Sequence, residues 1–281
     1  MQEQSQLTKA DMDAFGQEVK VGLLSTINPE GLPHITLITS IMAKDAEHVM
    51  FGQFSEGQSK QNARLNPNTA FLVMTTDRKI WRGRARWTHE AKKGADYERY
   101  NSLPMFRYNA YFGIHTVHYM DLVSVRGPEG LPLAGIAGSV LGTLAVGKTA
   151  ANERPADVLN PFTHGFFNRL DTLKFLSFVG QDGFPWIIPC FGLRAAGTDR
   201  LVLSPMAYRK EFANIARGQK VAVFGLSFKM EDVLVRGSYW GPDRRLGVPT
   251  AVVDVDFVYN SMPPIAGQIY PATELKPVRE F

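Results

Sequence analysis

The chain carries its first half a second time, in diverged form. The run Ile27 to Ile35 (Ile-Asn-Pro-Glu-Gly-Leu-Pro-His-Ile) reappears as Val179 to Ile187 (Val-Gly-Gln-Asp-Gly-Phe-Pro-Trp-Ile), which moves Gly31 onto Gly183, a shift of 152 residues. The same shift sets Leu24-Ser25 on Leu176-Ser177, Asn62 on Asn214, Ala70 on Ala222 and Arg84 on Arg236, with no gap. A period this long exceeds the unit of a solenoid, so the chain reads as two copies of one small domain. A site in such a chain is expected on the two-fold, at or near the seam between the copies.

Composition excludes several classes. With 281 residues and 44% apolar side chains, the chain can bury one or two real cores. Its 31 basic and 27 acidic residues leave a net charge of +4. The basic residues are scattered, with no lysine-rich run or basic helix face, so nucleic acid is not an expected partner. The lone cysteine, Cys190, rules out an internal disulfide framework and suits a reducing cytoplasm. The polar opening Met1 to Gln6 shows no signal peptide. The apolar stretch Leu131 to Val146 is broken by Gly and Pro and reads as too short to span a bilayer. A soluble cytoplasmic protein without a membrane partner is expected.

The pattern predicts a helix over 7–18 with Thr8 as N-cap, then strands over 19–27, 34–42 and 47–54, the first two joined by a turn at Asn28-Pro29-Glu30-Gly31. The period changes to 3.6 over Gly57 to Leu65, a short helix closed by Asn66-Pro67-Asn68. Strands over 69–76 and 79–88, a helix over 96–101 and a strand over 117–125 complete the copy. The second copy repeats this with strands over 173–179, 186–193, 200–204, 221–228, 232–240 and 250–258 and a helix over 211–217. Six strands and short helices in about 110 residues fit a small antiparallel barrel. The expected domains are a first barrel over 1–128, a linker and helix over 129–160, and a second, diverged barrel with an irregular tail over 161–281.

The strongest local signal is Phe51-Gly52-Gln53-Phe54-Ser55-Glu56-Gly57-Gln58-Ser59-Lys60. A strand ends in small polar residues and a helix begins whose first turn carries Ser59 and Lys60. Free amides, the positive end of the dipole, hydroxyls and an ammonium would together hold a phosphate. The plainer alternative is that Ser55 and Ser59 cap the helix while Lys60 is solvated.

The order of these features resembles the FMN-binding split barrel, the superfamily of pyridoxamine 5′-phosphate oxidase: strand, Asn-Pro-Glu-Gly-Leu-Pro-His turn, strand, Ser-Lys-x-x-Asn on a helix, Asn-Pro, then a hydrophobic strand. The resemblance covers 19–126 well and 171–258 in outline. It implies a mainly β fold of two tandem split barrels forming a pseudo-dimer, with FMN as cofactor. It implies that Lys60 reaches the FMN phosphate with Ser59 beside it, that Gln53, Phe54 and Ser55 lie next to the ribityl chain, and that Thr36, Leu37, Ile38 and Thr39 line the isoalloxazine. The oxidases' arginine on the second strand has no counterpart in His34 to Ser40, which sets the specific pyridoxamine-phosphate reaction aside. In the second copy Lys210 is two positions from the place Lys60 predicts, so that copy's site is expected to be degenerate.

Other motifs are more ambiguous. Pro104 to Tyr119 is rich in aromatics, with Tyr108, His115 or His118 as proton donors or as packing at the domain seam. His115 and His118, three apart on a strand, should face opposite ways. Arg82, Arg84 and Arg86 share one face of a strand and line either an anion cleft or a solvated surface. Gly142 to Thr149 satisfies the P-loop pattern but lacks the strand–loop–helix context that pattern requires.

The function expected is an FMN-binding oxidoreductase working by two-electron transfer on a small-molecule substrate or redox partner, with Tyr108 and His115 as candidate catalytic groups and the possibility of further homodimerisation. The alternatives are a non-catalytic flavin or electron-transfer protein and a haem-handling split barrel, the latter needing an exposed histidine among His34, His115 and His118.

Overall fold

A computed structural model describes residues 3–104, 113–260 and 267–273. The first copy contains β1 (Lys20–Ile27), β2 (Pro33–Leu37), β3 (Met42–Ala43), β4 (His48–Gln53), β5 (Asn68–Thr75), β6 (Lys79–Ala91) and β7 (Thr116–Gly130), with helices α1 (Lys9–Phe15), α2 (Gln58–Leu65) and α3 (Ala95–Asn101). Helices α4 (Leu133–Ala150) and α5 (Pro161–Asn168) lead into the second. It contains β8 (Thr172–Val179), β9 (Pro185–Pro189), β10 (Arg194–Ala195), β11 (Arg200–Leu203), β12 (Lys220–Ser227), β13 (Asp232–Arg245) and β14 (Val248–Asn260), the short helix α6 (Arg209–Phe212), and β15 (Gly267–Tyr270).

The two sheets have one topology. The first runs β2-β1-β5-β6-β7-β4-β3, and the second, in the same sense, β9-β8-β12-β13-β14-β11-β10, with β15 paired to β14. The mainly β class, with two antiparallel sheets and short helices, is thus observed. The backbone repeats the sequence shift closely: Gly31 (φ 77°) matches Gly183 (φ 76°), and the left-handed non-glycine Arg78 (φ 65°) matches Met230 (φ 64°). Glycine supplies the positive φ that each hairpin turn needs.

The chain divides into two compact units. One gathers Met1–Gly31, Thr36–Leu131 and Gln181–Trp186; the other gathers Leu32–Ile35, Pro132–Gly180 and Ile187–Phe281. The first unit's core includes Phe15, Leu24, Phe51, Phe71, Trp81 and Met120. Phe15 meets both Phe71 and Trp81 edge-on at 5.9 Å, an arrangement favoured by the ring quadrupoles. Thr8 caps α1 in a box with Asp11, and Asp11 also accepts from Trp81 Nε1 at 2.7 Å, which pins the helix to β6.

In this first unit the continuous strand expected over 34–42 is broken. β2 ends at Leu37, the chain turns through Ile38 to Ile41, and β3 begins at Met42. The cause is close backbone approach: Ile38 N–H donates to Gly22 O at 2.7 Å, and a Cβ on Gly22 would stand 2.3 Å from Ile38 O. Ser40 Oγ then donates to Gly52 O (2.8 Å) and accepts from Gly52 N–H (3.1 Å), tying the turn to β4. The sheet's two edge strands are thus joined by one short link. Gly22→Ala should lower stability by about 2 kcal/mol through overpacking, read as a fall of several degrees in Tm. An unchanged Tm would mean that the turn can move away at no cost.

Three further expectations are corrected. The helix over 211–217 is a 3-10 turn (Pro205–Tyr208) followed by α6. The tail is not wholly irregular, since β15 pairs with β14. The stretch read as too broken to span a bilayer is one continuous helix, α4, long and apolar enough by length and composition to cross a membrane. Its glycines do not interrupt it, and two of them, Gly135 and Gly142, sit where neighbours come close. A Cβ on Gly135 would meet Ala207 at 2.9 Å, and one on Gly142 would meet Val248 at 2.7 Å. The P-loop-like segment 142–149 therefore lies inside a helix, with its amides committed to the helical ladder.

Candidate functional site

The phosphate motif folds as a short helix laid against the first strand. Asn62 Nδ2 donates to Thr26 Oγ1 at 3.2 Å, fixing α2 on β1, and the helix buries Ser59, Lys60, Asn62 and Ala63. The N-cap is Gly57, in extended conformation, and no side chain caps the helix. The capping role considered for Ser55 and Ser59 is therefore not the one observed. Ser55 is exposed, while Ser59 is 1% exposed and its Oγ is buried without a hydrogen-bond partner among the described residues.

Lys60 is not solvated either. It is 6% exposed, and its ammonium folds back over the helix start, where a Cβ on Gly57 would lie 3.5 Å from Nζ. Burial holds its pKa below the ordinary lysine value, partly offset by the field of Glu56. Among the described residues Lys60 makes no ion pair or side-chain hydrogen bond. A largely buried lysine without an ion-pair partner among the described residues, and a buried hydroxyl without a hydrogen-bond partner, at the positive end of one helix, are chemically suited to an anion.

β4 delivers the rest. Gln53, at its end, is buried, and its Oε1 lies 2.6 Å from His118 Nε2. His118 Nδ1 accepts from Trp87 Nε1 at 3.1 Å, and the ring stacks on Phe51 (centroids 4.6 Å, planes 10°). Beside it Glu90, paired with Arg64 at 2.9 Å, lies 3.7 Å from His118 Nδ1. Burial pushes the His118 pKa down to about 4, with Glu90 and Glu56 raising it and Arg64 and Lys60 lowering it. His118 is thus neutral near pH 7 and fully buried, which removes it as a proton donor at neutral pH. His34, also buried, meets Tyr259 edge-on at 5.6 Å within the second unit. Neither is an exposed axial ligand of the kind a haem site needs.

His115, one residue before β7, is exposed. Its backbone N–H donates to Gln53 O at 2.8 Å and its Nδ1 lies 2.9 Å from Thr116 Oγ1. Phe54 is half exposed next to it. Thr36, Leu37 and Thr39 are half-buried and Ile38 buried; they connect to the cluster through Ser40, whose bonds to Gly52 end one residue before Gln53. Tyr108 lies outside the described residues. The arginine strand is not an open anion cleft: Arg82 pairs with Glu129 at 2.7 Å, and Arg84 with Glu3 and Asp182. Sequence reasoning missed the Trp87–His118–Gln53 chain. Its one signal was an aromatic and a histidine on strands that only the register Trp87↔Met120 brings side by side.

In the second unit the equivalent surface is filled. It consists of the turn 190–193, the strand end at Ser204 and the segment to Phe212, and α4 lies against all three. Ser139 Oγ donates to Ser204 O at 3.1 Å, Thr143 Oγ1 donates to Gly192 O at 2.7 Å, and a Cβ on Gly192 would stand 2.8 Å from Ser139. Between Ile136, Ser139, Cys190, Ser204 and Tyr208 only about 10 Å³ of void remains, at the lower limit for one water.

No protein-family model matches this chain, and no curated protein matches it. Solved structures similar to it include an FMN-binding protein from Syntrophomonas wolfei subspecies wolfei (14% identity, 41% of this chain and 81% of that one, TM-score 0.35). Another is a candidate pyridoxamine 5′-phosphate oxidase from Lactobacillus delbrueckii (15% identity, 45% and 100%, TM-score 0.36). A third is HupZ from Group A Streptococcus (15% identity, 42% and 91%, TM-score 0.35).

Proposed function

We propose that this chain binds FMN at the start of α2 and acts as an FMN-dependent oxidoreductase on a small molecule. The observation that carries the reading is the buried Ser59 Oγ without a hydrogen-bond partner, beside the largely buried Lys60, which has no ion-pair partner among the described residues. Both gain a partner when a phosphate sits at the N-terminal amides of α2. A phosphate monoester fits these residues. FMN offers one, together with a ring system for the half-exposed residues Thr36, Leu37, Thr39 and Phe54. When bound, the flavin supplies two-electron chemistry, and the protein supplies position and electronics. Lys60 and Ser59 hold the anion, Gln53 presents a side-chain amide, and exposed His115 is placed to exchange protons with a substrate.

Purified protein should be yellow. Heat release followed by mass spectrometry should identify FMN, and a colourless protein that also fails to take up added FMN would reject the reading. Because α4 fills the second unit's equivalent surface, flavin absorbance against protein concentration after denaturation should give one FMN per chain. A value of two would show that α4 leaves that surface.

A further inference from the structure

Resting on the FMN reading, we propose that His118 is a positioning residue that fixes the polarity of the Gln53 carboxamide, so that its amide hydrogens rather than its oxygen are offered to the cofactor. Trp87 Nε1 can only donate, so the nitrogen it reaches, His118 Nδ1, must be unprotonated. The proton of the neutral ring is then on Nε2, and it is donated to Gln53 Oε1 at 2.6 Å. The ring cannot turn over to reverse this order: it is fully buried and stacked on Phe51. A free glutamine can present either end of its amide; this one has its oxygen engaged and its NH2 group left for donation.

A donor at that place suits an acceptor atom of the cofactor, such as an oxygen of the ribityl chain or the phosphate, and disfavours a ligand that presents donors there. A carboxamide of the opposite polarity would leave two acceptors facing each other, so the lock acts on both affinity and ligand choice.

Two measurements test this. Nitrogen-15 NMR of the flavin-free protein should show His118 with Nε2 protonated and Nδ1 bare at neutral pH. FMN titrations should then show that His118→Phe, which keeps the ring stack, weakens binding about tenfold in the parent and has no further effect in a Gln53→Leu background. His118→Gln, which can both accept from Trp87 and donate to Gln53, should recover most of the loss. Equal weakening with and without Gln53, unchanged affinity in His118→Phe, or a proton on Nδ1 would each overturn the positioning role. A parent that binds no FMN would overturn the cofactor reading itself, and the NMR spectra would still decide whether His118 orders Gln53.

Discussion

Lys60→Met should raise the melting temperature of the flavin-free protein while cutting its affinity for FMN by about 10- to 150-fold. The two effects have one origin. Without flavin, the Lys60 side chain is largely buried with no carboxylate in contact among the described residues, and the field of Glu56 favours its charge. A buried, uncompensated charge costs folding free energy, and a methionine of similar length fills the same space without it. Relief of about 1–2 kcal/mol corresponds to a rise of a few degrees in a protein of this size. With FMN the same ammonium makes a charged hydrogen bond to the phosphate, worth about 1.5–3 kcal/mol, which sets the expected loss of affinity. Thermal melts with and without saturating FMN give both numbers. A variant less stable than the parent in the absence of flavin would mean that Lys60 has a structural partner, and that the start of α2 is not an anion site.

The second large effect is an acid limb in stability that belongs to His118. Its pKa is about 4 when folded against an ordinary 6.5. Above pH 6.5 the ring is neutral in both states and its contribution is full. Between about 6.5 and 4 the unfolded chain takes up a proton that the folded ring refuses, so stability falls as pH falls. The total is about 3 kcal/mol, from a shift of this size at 1.36 kcal/mol per unit. The groups facing the ring, Glu90, Arg64, Lys60 and Glu56, are unchanged in His118→Phe, so subtracting that variant's curve isolates the histidine. The difference in unfolding free energy between parent and variant, from urea titrations, should be constant above pH 6.5 and shift by about 3 kcal/mol in the variant's favour on reaching pH 4. A difference that stays constant across the whole range would place the ring in contact with solvent.

The duplication was legible because it rests on turn chemistry. Gly31 and Gly183 supply left-handed turns that other residues adopt at a cost, so divergence elsewhere left them in register. The strands were legible from their period, as far as local signals reach. What the sequence did not reveal is set by contacts between distant residues. The break after Leu37 is imposed by Gly22 and Ser40, not by anything within 34–42. Gly135 and Gly142 of α4 look like helix breakers in isolation and are contact points in the fold, where Ala207 and Val248 leave no room for a Cβ. In the site, Ser59 and Lys60 could be singled out as an anion motif, but whether they were capping and solvated or buried and unsatisfied depended on burial. His118 looked like a proton donor because exposure cannot be read from a His-x-x-His spacing; behind Phe51 and Trp87 it is a neutral hydrogen-bonding bridge.

Comparison of FMN with riboflavin, which differs only in lacking the phosphate, tests the central claim most directly. Titrated into flavin-free protein and followed by flavin fluorescence, FMN should bind at least tenfold more tightly than riboflavin. That preference should collapse towards parity in Lys60→Met, mainly through weaker FMN binding. Equal affinities in the parent, or a preference for FMN that survives the loss of Lys60, would contradict the assignment of the phosphate to the start of α2.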